Sequence, residues 1–133
     1  NCSRSMIALH KKYKSSVIAS KKVSKNNVSR WGILDVKKIN RRNFIIKDVI
    51  EKPKTKNAPS RYAVIGRYVL PKKIFKILKK QKPGQNGEIH ITDSIRTLIL
   101  NKNKFIGHIF SGKYLDCGTM SGYINSTLEI SKL

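Results

Sequence analysis

The stretch YAVIGRYVL, Tyr62 to Leu70, is the strongest strand candidate in the chain, and Pro71 follows it directly. Proline fixes φ and lacks an N–H, so it suits the first turn of a helix. The spacing beyond it predicts a helix from Lys72 to Gln81. Ile74, Ile77 and Leu78 fall on one face at i, i+3 and i+4. Lys72, Lys73, Lys76, Lys79 and Lys80 occupy the other, where a solvated surface is the plainest reading. Strand followed at once by helix is how an α/β sheet is assembled.

Working outward, the same alternation recurs. MIALHKKY, Met6 to Tyr13, has helical spacing, and Val17 to Ser20 is β-rich. After a turn at Ser24 to Asn27, Trp31 to Val36 reads as a strand, as does FIIKDVI, Phe44 to Ile50. Pro53 stops that run because it cannot donate to a ladder. Lys82 to Gly87 (KPGQNG) is a turn by composition. Thr92 or Asp93 is placed to cap a helix through Leu100, whose apolar side is Ile95, Leu98 and Ile99. Phe105 to Phe110 is a further strand, and Met120 to Ile130 a closing helix with Gly122 near its start. Alternating strands and helices without an internal repeat predict an α/β fold with a mixed sheet flanked by helices.

The 133 residues amount to one domain's length, and 39% of them are hydrophobic, enough for a core. No apolar run is long enough to cross a membrane. Net charge is +22, from 22 Lys and 7 Arg against 7 acidic residues. Arginine is the side chain that forks onto phosphates and guanine edges, so a lysine-dominated excess speaks weakly for nucleic acid. With 18 Ile and 10 Asn it also matches the codon bias of an AT-rich genome. Most of the charge is therefore read as solvated surface. Cys2 and Cys117 make no metal or redox spacing with His10, His90 and His108, and reduced thiols in a cytoplasmic protein are expected.

Three places set polar function beside strands. Gly32 opens one without a side chain, so a ligand could approach the backbone closely. Glu51 and Lys52 end another: a carboxylate accepts from hydroxyls while an ammonium faces a phosphate. Asp116, between Leu115 and Cys117, is a plausible magnesium ligand. Each pattern alone is weak, because charged residues commonly end strands and turns.

Order and wording add more. VSRWGIL (Val28 to Leu34), VIEKP (Val49 to Pro53), APSRYAVIGRYVL (Ala58 to Leu70), KPGQNGEIHITDSI (Lys82 to Ile95) and YLDCGTMSGY (Tyr114 to Tyr123) are collinear. Together, from about Met6 to the end, they resemble the bacterial UTP–glucose-1-phosphate uridylyltransferases, or UDP-glucose pyrophosphorylases. The resemblance implies that residues 1–133 form the carboxyl-terminal portion of a nucleotide-diphospho-sugar transferase domain, with a Rossmann-like mixed sheet. It implies glucose 1-phosphate and UTP as substrates and UDP-glucose and pyrophosphate as products. Gly32 would offer its amide to the glucose ring, Glu51 would accept from glucose hydroxyls, and Lys52 would bind the phosphate. Asp116 would hold Mg2+ with a second aspartate. Gly66 and Tyr68 would line the sugar pocket or support it.

The sequence also departs from that pattern. The family's Gly-rich nucleotide loop and the partner aspartate are not among these residues, and Gly84 to Gly87 is no substitute. Trp31 stands where Tyr is usual, Arg61 where a small polar residue is expected, and the chain is unusually basic. The expectation is a truncated or split form, inactive alone, that works with a complementary amino-terminal chain or as a homo-oligomer. A non-enzymatic remnant and a basic binding protein are the alternatives.

Overall fold

A computed structural model describes residues 1–84 and 87–132. Helix α1 (Cys2–Tyr13) leads into strand β1 (Ser16–Lys22). A 3-10 turn (Lys25–Arg30) precedes β2 (Ile33–Lys38) and β3 (Asn43–Ile50). After a short 3-10 turn (Thr55–Asn57) come β4 (Tyr62–Val69), α2 (Ile74–Leu78), α3 (Ile91–Leu100), β5 (Phe105–Ile109) and α4 (Met120–Ile130). The α/β fold with a mixed sheet is as expected, but strict alternation is not: β1 to β4 follow one another with only 3-10 turns and loops between them. β1 runs parallel to β5, and every other neighbouring pair is antiparallel.

The sheet also closes on itself, in the order β1-β4-β2-β3-β5 and back to β1. Closure removes the exposed edges that an open sheet would leave. Its thinnest seam lies between β2 and β4, which pair only at Ile33 and Ala63, with Val64 N–H donating to the Gly32 carbonyl at 2.9 Å.

Both faces of β1 are covered, and Val17, Ile18 and Ala19 are all fully buried. Ile18 joins Leu34, Phe44, Val64, Ile95, Leu98 and Phe105 in the main core. Val17 and Ala19 meet Met6 of α1 and Ile106 on the other side. Each such aliphatic side chain contributes about 1.5–3 kcal/mol. Gly107 is required by this packing, since a Cβ there would lie 1.8 Å from the Phe44 ring. His108 is buried on β5 beside Asn43 Oδ1 (2.8 Å); burial lowers its pKa, and the nearby Arg42 adds to the effect.

Several expectations change in detail. Helix α2 is shorter than Lys72 to Gln81, because its flanks form i to i+3 turns (Ile74 N–H to Pro71 O, Gln81 N–H to Leu78 O). Lysines spaced i, i+4 along it, Lys72, Lys76 and Lys80, repel one another and weaken a longer helix. Trp31 lies outside the strand it was expected to open, since its N–H closes the 3-10 turn onto Val28 O. Neither Thr92 nor Asp93 caps α3, whose N-cap is His90. Of the turn at Lys82 to Gly87, Gln85 and Asn86 lie outside the described residues. Cys2 and Cys117 are both free thiols. No helix among the described residues is long and apolar enough to cross a membrane.

Candidate functional site

The cleft at the β2–β4 seam grows from three backbone features. Strand β4 bulges against β1: Ile18 faces Tyr68 and Ser20 faces Val64, so Ile65, Gly66 and Arg67 all lie opposite Ala19. Gly66 takes φ +75°, a left-handed conformation that glycine adopts without the Cβ penalty. Bulges re-aim side chains, and here Gly66 and Tyr68 both line the cleft. At the end of β3 the chain turns sharply, with Lys52 at φ 42° and its N–H bonded to the Trp31 carbonyl at 3.0 Å.

The third feature is Gly32, just before β2. A Cβ there would lie 2.9 Å from Thr92 Cγ2 and 3.0 Å from Glu51 Oε2. Glycine is what lets the start of β2 nest against both. Thr92, buried in the first turn of α3, donates from Oγ1 to Glu51 Oε2 at 2.8 Å. One carboxylate oxygen is thus fixed, which leaves Oε1 to accept from a ligand. The cleft, of about 210 Å³, is completed by Arg30, Trp31, Val64, His90 and Ile91. Burial, with the Glu51 and Tyr114 charges adding to it, raises the Tyr68 pKa to about 12. Its phenol therefore stays protonated at neutral pH and can donate to an oxygen.

A second cavity, of about 420 Å³, adjoins the first through Arg30 and Trp31, which line both. Lys21, Lys22 and Asp116 stand there. Trp31 meets Tyr114 edge to face at 5.4 Å between centroids, and the Lys21 ammonium lies 4.4 Å from the Trp31 ring centre and 3.9 Å from that of Tyr114. Burial lowers the Lys21 pKa, Asp116 opposes that, and Arg30 reinforces it. Asp116 Oδ1 accepts from Gly118 N–H at 3.0 Å.

Of the residues singled out in the sequence, Gly32, Glu51, Gly66 and Tyr68 converge on one cleft. Lys52 does not line it: the residue takes left-handed backbone and its side chain is exposed, while Pro53 beside it is buried. Asp116 stands apart, beyond Trp31. Sequence reasoning missed Thr92, which was taken for a cap, and it missed Lys21, Arg30 and Tyr114. Arg30, Thr92 and Tyr114 lie in segments that carry the family resemblance, whereas Lys21 lies outside them.

Asp116 fits as one magnesium ligand, since Mg2+ takes one or two carboxylates together with substrate phosphates. No group of three or more His, Cys, Asp or Glu side chains converges on a metal position among the described residues.

The chain belongs to the nucleotidyl transferase family, whose model matches residues 3–132. Within that family it is 36% identical over 128 residues to the UTP–glucose-1-phosphate uridylyltransferase of Bacillus subtilis, covering 96% of this chain and 44% of that protein. Its likeness to the Pseudomonas aeruginosa enzyme of the same name is 35% over 125 residues, covering 92% and 43%. A solved UDP-glucose pyrophosphorylase complexed with UDP-glucose superposes with TM-score 0.89 at 41% identity, covering 96% of this chain and 48% of that one. The chain thus spans under half the length of these relatives.

Proposed function

We propose that this chain carries the sugar-phosphate side of a uridylyltransferase that joins glucose 1-phosphate to UTP. One observation supports this most: Gly32, Glu51, Gly66 and Tyr68, distant in sequence, share one cleft. In this reading the glucose ring lies over Gly32, which has no side chain to exclude it. Glu51 Oε1 accepts from sugar hydroxyls, and the Tyr68 phenol donates to one. Lys52 approaches the phosphate from the rim. A phosphate oxygen of glucose 1-phosphate attacks the α-phosphorus of UTP; the new P–O bond forms as the bond to the β-phosphate breaks, and pyrophosphate leaves. Such transfer depends on alignment and charge neutralisation more than on a protein nucleophile. Bound Mg2+, with Asp116 as one ligand, would neutralise phosphate charge.

Residues 1–133 are then the carboxyl-terminal portion of the transferase domain. The groups that hold UTP come from a complementary chain or segment, or from another copy. The exposed apolar side chains of α4 (Met120, Tyr123, Ile124, Leu128) suit a face that packs on further protein. We place the protein in the cytoplasm, where free thiols persist. A basic binding protein is the less favoured reading, because Glu51, Thr92 and Gly32 form a polar pocket that a charge-only role does not need.

Calorimetric titration separates these readings. The chain should bind glucose 1-phosphate, lose it with Glu51→Ala, and bind UTP alone weakly or not at all. Binding of UTP without any binding of the sugar phosphate would refute the assignment.

A further inference from the structure

The cation expected to hold the phosphate, Lys52, is exposed and does not line the cleft. Arg30 does, and together with Trp31 it also forms the wall of the adjoining cavity. In that cavity stand Lys21, Lys22 and Arg30, three cations facing one carboxylate, Asp116. Lys21 lies against two aromatic rings, its ammonium 4.4 Å from the centre of Trp31 and 3.9 Å from that of Tyr114. Ring faces attract a cation but do not replace hydrogen-bond acceptors. Among the described residues, Lys21 has no ion pair or side-chain hydrogen bond, so its N–H groups remain available to an oxyanion.

Resting on the sugar-phosphate reading above, we propose that Lys21 is a second phosphate-binding residue of this site. It receives the phosphate of a sugar 1-phosphate across Trp31 from Glu51, with Arg30 on the shared wall. Glu51 and Thr92 then read the sugar in one cavity while Lys21 and Arg30 hold the phosphate in the next. Trp31 and Tyr114 act as positioning residues that keep the ammonium from folding out into solvent. Asp116 faces the same cavity, and its charge opposes a phosphate unless Mg2+ lies between them.

The test compares wild type, Lys21→Met and Lys52→Met; methionine keeps an apolar stem against the rings while removing the charge. Each protein is first checked for an unchanged amide NMR spectrum away from the substitution. Glucose, glucose 1-phosphate and inorganic phosphate are then titrated with and without Mg2+. Lys21→Met should weaken glucose 1-phosphate by about tenfold or more, as for loss of a charge-assisted hydrogen bond, and should leave glucose binding unchanged. If Lys21→Met binds glucose 1-phosphate as wild type does, or if no protein binds any phosphate, the assignment is overturned. Inorganic phosphate held through Lys21, with no response of Gly32 or Gly66 to either sugar, would support the phosphate role while sinking the glucose reading.

Discussion

Thr92 Oγ1 donates to Glu51 Oε2 at 2.8 Å, tying the first turn of α3 to the end of β3 directly against Gly32. The bond joins residues 41 positions apart and holds one oxygen of Glu51. Thr92→Val keeps the shape and removes the donor. It should weaken glucose 1-phosphate binding by about five- to tenfold, the scale of one hydrogen bond. Thr92→Ser should restore most of that affinity. Calorimetry on the two variants checks both halves of the expectation, and equal affinity in valine and serine proteins would remove Thr92 from the site.

Gly32→Ala is a steric test of the same corner. Its Cβ would meet Thr92 Cγ2 and Glu51 Oε2 at or inside 3.0 Å. Because the Glu51 side chain can swing away, the stability cost should stay near 1–3 kcal/mol, typical of overpacking. Sugar-phosphate binding should fall much further than stability does. Urea unfolding and titration on one preparation compare the two losses.

Gly107→Ala should act on the fold and leave the cleft alone. The Phe44 ring lies against Gly107 and also packs on Tyr62 at 4.8 Å between ring centres. A methyl group has nowhere to go unless that ring moves, so a loss of about 3 kcal/mol is expected. Phe44→Leu in the same background should recover part of it. Denaturation midpoints of the single and double variants measure the coupling.

Tyr68 gives a pH-dependent signature. Its folded-state pKa, about 12, lies above the ordinary value of 10.0. Below pH 10 both folded and unfolded forms hold the proton, so the contribution is fully present and constant. Between 10 and 12 the unfolded chain releases it first, and stability attributable to Tyr68 declines as pH rises. Burial and Asp116 also raise the Tyr114 pKa, so tyrosinate absorbance should show a late-titrating phase that loses one residue's amplitude in Tyr68→Phe. The stability difference between wild type and that variant should shrink across the same range.

The elements were largely legible because they rest on local pattern. Tyr62 to Leu70 followed by Pro71, the apolar side Ile95, Leu98 and Ile99, and the strand at Phe105 all stand close to where spacing put them. What the sequence could not show depends on partners far along the chain. Nothing in Ser16 to Lys22 says that it will pair parallel with β5 and close the sheet. Gly66 inside the strand is compatible with a bulge, but the bulge is defined only by register, relative to Ala19 on β1. Thr92 looks like a cap because that is its local chemistry, and its buried hydroxyl is claimed by Glu51 only once β3 and α3 pack. Glu51 and Lys52 are neighbours in sequence, yet Glu51 lines the cleft while Lys52, at φ 42°, is exposed. Lys21 carries no local mark at all; its setting is made by Trp31 and Tyr114, brought together by the fold.

The most direct measurement is a residue-resolved amide NMR titration of this chain with glucose 1-phosphate. Saturable shifts are expected at Gly32, Glu51, Gly66 and Tyr68, extending to Lys21 and Arg30, and they should disappear in Glu51→Ala. Shifts confined to the lysine face of α2, or no saturable response at the cleft, would contradict it.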